Sequence, residues 1–287
     1  MNSLRAPISK ILTWSCVDGP GNRMVLFMQG CNFNCATCHN PHTIGQCDSC
    51  GECLPVCEPK ALSLVDGRIA FELSVCTQCD ACLEVCPISA NPMVRSYTVQ
   101  EILDLLHEHA GFLSGITISG GEATMQLPFI RNLFTAMGED ADLRHLTRFI
   151  DSNGHLGPIA WKSVLEVTDG VLLDIKAFDP ELHVHLTERS NARSLASARL
   201  LHEAGKLYEL RFLLVPDATD RDEEIDKLIE FVQSLDGSVR LKLNAFRTHG
   251  VRGTAARWPA MKKERVEAAA ERLVQAGLGP VELPALW

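Results

Sequence analysis

No run of apolar residues in these 287 amino acids approaches the roughly 20 needed to cross a bilayer. Met1 to Lys10 holds no apolar core of the kind an export signal needs. Basic charge is short as well: 27 Lys and Arg stand against 36 Asp and Glu, a formal net charge of −9. That balance disfavours nucleic acid and anionic membrane surfaces as partners. Cysteine is missing from everything after Cys86. These absences lead us to expect a cytoplasmic protein with no nucleic acid and no membrane among its partners. The local thickening of basic residues between Arg247 and Arg265 reads as a solvated face.

What is present is an ordinary globular composition, 46% hydrophobic and 22% charged, with twelve cysteines. The length suits one large domain, or one domain with a small insert. Disulfides are disfavoured in a reducing compartment, so clustered cysteines there point to metal or catalysis. Eleven of the twelve fall between Cys31 and Cys86. Cys16, with no partner spacing, reads as a small buried apolar residue.

Arg23 to Gln29 is a short apolar run between turn signals and reads as a buried strand. From Cys47 to Pro92 short Cys- and Pro-containing segments replace periodic ones, as expected of a small module with an inorganic core. Thr98 to His109 reads as a helix with Thr98 as N-cap and Glu101 completing a capping box. Further strands are expected at Gly115–Ser119, Thr147–Asp151, Val171–Ile175, Glu209–Val215 and Val239–Leu243. Helices are expected at Leu127–Met137, Pro158–Glu166, Ser194–Ala204, Arg221–Leu235 and Met261–Gly277. Such alternation implies an α/β fold with a parallel sheet covered by helices. Six units are too few for an eight-stranded barrel, so a partial (β/α)6 barrel is expected, with its chemistry at the C-terminal strand ends. The boundaries are 1–46 and 93–287 for the barrel and 47–92 for the insert.

Cys31, Cys35 and Cys38 lie in the loop after the first strand. A zinc site would need a fourth ligand, for which His39 and His42 are available, and usually pairs its ligands in separated knuckles. Three thiolates within eight residues suit a [4Fe-4S] cluster with one iron left open. In the insert, Cys47-x2-Cys50-x2-Cys53-x3-Cys57 is followed by Cys76-x2-Cys79-x2-Cys82-x3-Cys86-Pro. That duplicated spacing is the mark of a two-cluster ferredoxin, in which the fourth cysteine of each run ligates the other cube. Cys47, Cys50, Cys53 and Cys86 are then one ligand set, and Cys76, Cys79, Cys82 and Cys57 the other. Closed cubes of this kind relay electrons. The repetition disfavours the alternative of two zinc sites.

The triplet and its place after a strand resemble the radical S-adenosylmethionine superfamily. That resemblance implies an open iron chelating the methionine end of the cofactor. Reductive cleavage of the S–C5′ bond then gives a 5′-deoxyadenosyl radical that abstracts a substrate hydrogen. Asp18-Gly-Pro-Gly-Asn-Arg23, Gln29-Gly30 and Cys38-His-Asn-Pro41 narrow the match to glycyl-radical-enzyme activating enzymes, over nearly the whole chain outside the insert. The presence of the insert resembles the YjjW-type branch.

By the same resemblance the cofactor is met by Thr37, Cys38 and His39, by Gly120, Gly121 and Glu122, by Asp174, Ile175 and Lys176, and by Arg211. A monovalent cation is implied near Asp151, Ser152 and Asp174. Asp217 stands where the family has Gly after Val-Pro. Arg247 aligns with a cofactor-contacting His, and His249 lies two residues on; either can serve as that contact, and His249 is carried as the candidate beside Arg247. The implied activity is formation of a glycyl radical on a partner enzyme, with three [4Fe-4S] clusters, S-adenosylmethionine, and a flavodoxin or ferredoxin-type reductant. The alternatives are a radical enzyme acting on a small molecule or another protein residue, an electron-transfer protein, and a zinc-binding module.

Overall fold

The computed structural model describes residues 4–284. In chain order its elements are β1 (Arg5–Ser15), β2 (Arg23–Met28), β3 (Leu62–Val65), β4 (Arg68–Phe71), the single turn α1 (Ala81–Glu84), β5 (Arg95–Thr98), α2 (Val99–His109), β6 (Gly115–Gly120) and α3 (Leu127–Glu139). They continue with β7 (Thr147–Ser152), α4 (Pro158–Leu165), β8 (Gly170–Ile175), α5 (Pro180–Thr187), α6 (Ala192–Glu203), β9 (Leu207–Leu214), α7 (Asp222–Gln233), β10 (Leu241–Ala245), α8 (Lys263–Gln275) and β11 (Val281–Glu282). This is an α/β fold on a large, mostly parallel sheet. The chain forms two compact units, Met1–Asn32 with Asn40–Thr147, and Phe33–His39 with Arg148–Trp287. No helix among the described residues is long and apolar enough to cross a membrane.

In the first unit β2 pairs in parallel with β6, from Arg23 beside Gly115 to Met28 beside Gly120. β1 runs antiparallel to β2, and β5 antiparallel to β1. Met24, Val25, Leu26, Ile116 and Ile118 are fully buried, the continuous apolar pattern of a strand covered on both faces. α2 starts as its sequence dictates: Thr98 Oγ1 accepts from the Glu101 N–H at 3.1 Å, and the Glu101 carboxylate accepts from the Thr98 N–H at 2.6 Å. β3 and β4 form a separate hairpin inside the cysteine-rich segment.

The second unit is a parallel succession in which β8 pairs with β7, β9 with β8, β10 with β9 and β11 with β10. Trp161 of α4 is wholly buried and donates its indole N–H to Ser197 of α6 at 2.8 Å.

All six expected strands form. β1 was not expected, because its apolar alternation is broken by two register shifts against β2, between Ile8 and Lys10 and between Leu12 and Ser15. α5 was missed although its start carries Asp179 as N-cap, accepting from the N–H groups of Glu181 and Leu182, with Pro180 at its first position. Cys16 is corrected: it lies exposed in the turn after β1, between the exposed Trp14 and Val17, because the ladder ends at Ser15.

Candidate active site

In the first unit the end of β2 is tied to the segment that follows the cysteine triplet. Gly30 donates to the Thr43 carbonyl at 2.8 Å and Cys31 to that of Ile44 at 3.1 Å. The buried Gln29 amide donates to the carbonyls of His42, at 2.9 Å, and Gly45. Residues 29–31 and 42–45 thus clamp the base of the cysteine loop.

β6 delivers Ser119-Gly-Gly-Glu122 against the same backbone. Gly121 donates to Met28 at 2.9 Å, and Glu122 to Gly30 at 2.8 Å. Gly120 has φ +121°, and a Cβ there would sit 2.1 Å from the Met28 nitrogen. On Gly121 a Cβ would lie 2.2 Å from the Gly30 oxygen. What these glycines admit closely, within this unit, is the end of β2. Glu122 is buried, and its Oε1 accepts from both the N–H and the hydroxyl of Thr124.

The cysteine-rich segment shows its duplication in the backbone. Ser49 and Gln78 both take left-handed φ, +64° and +55°, and each donates its N–H to the sulfur two residues earlier, Cys47 or Cys76, at 3.4 Å. Gly51 and Asp80 correspond, as do Lys60 and Ser89, and all four have positive φ. Cys57, Cys76, Cys79 and Cys82 line one cavity, with Val56, Leu62, Phe71 and Met93 completing its apolar wall. Burial raises the Cys53 thiol pKa, and the neighbours that add to the rise are Cys47, Cys50 and Cys86. Cys82 is pushed up to about 11, first by burial and then by Cys53 and Cys57. Thiols so raised are poor thiolates on their own, and a metal is the usual means of deprotonating such a site. All-sulfur donor sets in two groups of four fit iron–sulfur cubes.

In the second unit Cys35 and Cys38 sit on a turn closed by the Cys38 N–H donating to the Cys35 carbonyl at 3.1 Å. The C-terminal end of α5 holds this turn: Asn34 donates to the Thr187 carbonyl at 3.1 Å and Ala36 to that of Leu186 at 2.8 Å. Phe33 is buried and meets His155 and His183 edge-on, with ring centroids 5.4 and 5.6 Å away. Burial lowers the pKa of both histidines, so each packs as a neutral ring. Thr37 is buried.

The strand ends supply charge. Lys176 Nζ bridges to Asp174 at 2.8 Å; burial opposes its charge, but Asp174, Cys35 and Asp151 outweigh it and raise the pKa. Ile175 between them is wholly buried. Arg211 donates from Nε to Glu209 at 2.7 Å and from Nη1 to Asp151 at 3.4 Å. The Ser152 hydroxyl accepts from Gly154 N–H at 3.0 Å. His39 donates from Nε2 to the Arg247 carbonyl at 3.0 Å, and burial, then the nearby Lys176 and His249, lower its pKa against that bond. A carbonyl only accepts, so Nε2 carries the hydrogen.

Cys35, His39, Asp151, Asp174, Lys176, Arg211 and His249 are therefore electrostatic neighbours in one unit. His249 is exposed and Arg247 half-buried. Asp217 takes φ +57°, the conformation glycine favours, so the departure at that position keeps the turn. Glu209, Phe33 and α5 were not singled out by sequence, and Gln29 was named only as part of its motif, without its bonds to His42 and Gly45. Alternation along β9 puts Glu209 beside Arg211 on one face, a signal that was available.

Within the second unit the donor types suit a sulfonium amino acid: Asp174 can accept from its ammonium, and Arg211 and Lys176 can meet its carboxylate. The Radical SAM superfamily profile matches residues 25–232. A pyruvate formate-lyase-activating enzyme of Streptococcus mutans is 32% identical over 243 residues, 83% of this chain and 76% of that one. One from Staphylococcus aureus is 28% identical over 290 residues, 98% of this chain and all of the other. Among solved structures, QueE from Escherichia coli shares the fold with a TM-score of 0.53 at 13% identity, across 98% of this chain and 94% of that one.

Proposed function

Since the chain belongs to the radical SAM superfamily and, within it, to the glycyl-radical-enzyme activating enzymes, we propose the following assignment of its residues to that activity. Cys31, Cys35 and Cys38 hold a [4Fe-4S] cluster with an open iron. When bound there with S-adenosylmethionine, that cluster supplies reductive S–C5′ cleavage and removal of one hydrogen from a glycine Cα of the partner, leaving methionine and 5′-deoxyadenosine. The chain's own residues orient and enclose. Gly120, Gly121 and Glu122 present a short backbone and a fixed carboxylate to the ammonium. Asp174, Ile175, Lys176 and Arg211 meet the rest of the cofactor, with Thr37, Cys38 and His39 beside the triplet and His249 at the rim. A monovalent cation near Asp151, Ser152 and Asp174 belongs to the same reading, which the crowding of carboxylates around Lys176 and Arg211 supports.

The fold is read as a partial (β/α)6 barrel, residues 1–46 and 93–287, built on β2, β6, β7, β8, β9 and β10. Residues 47–92 are read as a two-cluster ferredoxin-like insert. Supporting the crossed ligand sets are the cavity shared by Cys57, Cys76, Cys79 and Cys82 and the company Cys53 keeps with Cys47, Cys50 and Cys86. Closed cubes there would pass electrons received from a flavodoxin or ferredoxin-type protein. The site of action is the cytoplasm.

One observation carries the cofactor assignment: Asp151, Asp174 and Lys176 gather at the ends of β7 and β8, with Arg211 of the neighbouring β9 and Cys35 beside them. The test is anaerobic incubation of the reconstituted protein with S-adenosylmethionine, a reductant and a glycyl radical enzyme. Pyruvate formate-lyase is the first to try, because the relatives are named for it. The expected result is the spin-resonance doublet of a glycyl radical on the partner, with 5′-deoxyadenosine in equal amount. Cofactor cleavage without that radical on any glycyl radical enzyme in a panel would favour a small-molecule substrate.

A further inference from the structure

On one face of the second unit's sheet the strand register places charged residues in rows. Asp174 stands beside Arg211, Arg211 beside Lys242, and Lys242 beside Glu282. Residues two apart on a strand share a face, so Glu209 belongs to the same face, one step back along β9. Its partner position on β8 is the apolar Leu172. Its two oxygens are divided between two guanidinium groups. Oε1 accepts from Arg211 Nε at 2.7 Å, and Oε2 accepts from Arg240 Nε at 3.1 Å. The Glu209 side chain is 4% exposed.

A buried carboxylate between two arginines does not by itself make a fold more stable than well-packed apolar side chains would. Its presence is better accounted for by what it does to Arg211. An arginine has a long, flexible stem, and its planar fork is useful only when the plane is fixed. Lys242 stands in register beside Arg211 and is held by Glu282 at 3.1 Å. Glu209 binds Arg211 at Nε and so restrains the rotation of its guanidinium plane about the end of the stem. The Nη edge is then turned toward Asp151.

We propose that Glu209 is a positioning residue, fixing the Arg211 guanidinium through Nε so that its Nη edge is aligned for the carboxylate of S-adenosylmethionine. This rests on the reading that Arg211 meets that carboxylate. It requires that Glu209 and Arg211 act as one unit, whereas Arg240, on the other oxygen, serves only to complete the pairing.

The experiment uses the reconstituted full-length protein and measures S-adenosylmethionine affinity by equilibrium dialysis, with iron content and Tm recorded alongside. Glu209→Gln keeps the shape but loses the charge; Glu209→Asp keeps the charge but draws the oxygens back. Each is expected to weaken binding roughly tenfold, the scale of losing an orienting partner, at unchanged iron content. Arg211→Met should weaken binding at least as much, and Glu209→Gln with Arg211→Met no further. Arg240→Met should lower Tm and leave affinity as it was. Additive losses in the double variant, or wild-type affinity in both Glu209 variants while Arg211→Met binds poorly, overturn the role of Glu209 alone. Wild-type affinity in Arg211→Met overturns the assignment of Arg211 to the cofactor, and the role of Glu209 with it. Should Glu209→Gln fail to fold, Glu209→Asp and the Arg211 variant decide the matter.

Discussion

Cys53 and Cys82, the third cysteine of each run, lie together in one small buried cluster with Leu62 and Leu83, where burial holds the Cys82 thiol neutral. The two proposed ligand sets would therefore adjoin through their most buried members. Under crossed pairing Cys57 belongs with Cys76, Cys79 and Cys82. Reconstituted protein should hold about twelve irons per chain, for three cubes. Cys57→Ala and Cys79→Ala should each fall to about eight, and so should the two combined, because they empty the same site. Cys57→Ala with Cys50→Ala should fall to about four. Iron assay against protein concentration checks this, and a further drop in the first pair would refute the crossing.

Gly121→Ala forces a Cβ to within 2.2 Å of the Gly30 oxygen and 2.7 Å of the Thr43 oxygen. Both are backbone atoms and cannot swing aside. The expected cost is about 1–3 kcal/mol, with a loosened clamp at the base of the cysteine loop. A lowered Tm should be accompanied by weaker S-adenosylmethionine binding.

Arg23 is completely buried at the head of β2. Its guanidinium donates to the hydroxyls of Thr117 and Thr147 and to the carbonyls of Pro20, Ile116 and Thr147. Thr117 in turn donates to the Asp18 carbonyl at 2.6 Å. Arg23→Met leaves those acceptors buried without a donor and should cost about 3 kcal/mol. The midpoint of denaturant unfolding should fall accordingly, and Arg23→Lys should recover only part of the loss.

Acid stability should depend on Asp169. Burial works against its ionisation, but the side-chain and backbone N–H groups of Arg148 outweigh burial and hold the carboxyl below its ordinary value. A carboxyl with a depressed folded pKa contributes stability above the unfolded value of about 3.9 and loses it as pH falls through the folded pKa. Asp169→Asn should be less stable at neutral pH, with a shallower decline below about pH 4. Tm measured from pH 3 to 7, as an order-of-magnitude range around that pKa, distinguishes the two curves.

Much of the site was legible because its chemistry is written in short, contiguous motifs. The triplet, Ser119-Gly-Gly-Glu122 and Asp174-Ile-Lys176 each sit at or just past a strand end, where alternating periodicity located them. The capping box of α2 was readable for the same reason: all its atoms lie within four residues. What escaped depends on partners far apart in sequence. Phe33 shows its importance only through His155 and His183, and the clamping bonds of Gln29, a residue its motif had already marked, only through His42 and Gly45. β1 escaped because bulges erase the alternation that would have announced it. The exposure of Cys16 follows from where the β1 ladder ends, which composition does not encode.

The clamp between residues 29–31 and 42–45 is complete before the chain enters the cysteine-rich segment, and β5 re-enters by pairing with β1. Both attachment points are thus secured by bonds that the segment itself does not make. A stretch joined in this manner is an accessory that a lineage can acquire, lengthen or discard without redrawing the loop beside it. The same architecture gives protein engineers two natural splice points, after Gly45 and before Arg95, for grafting a different module.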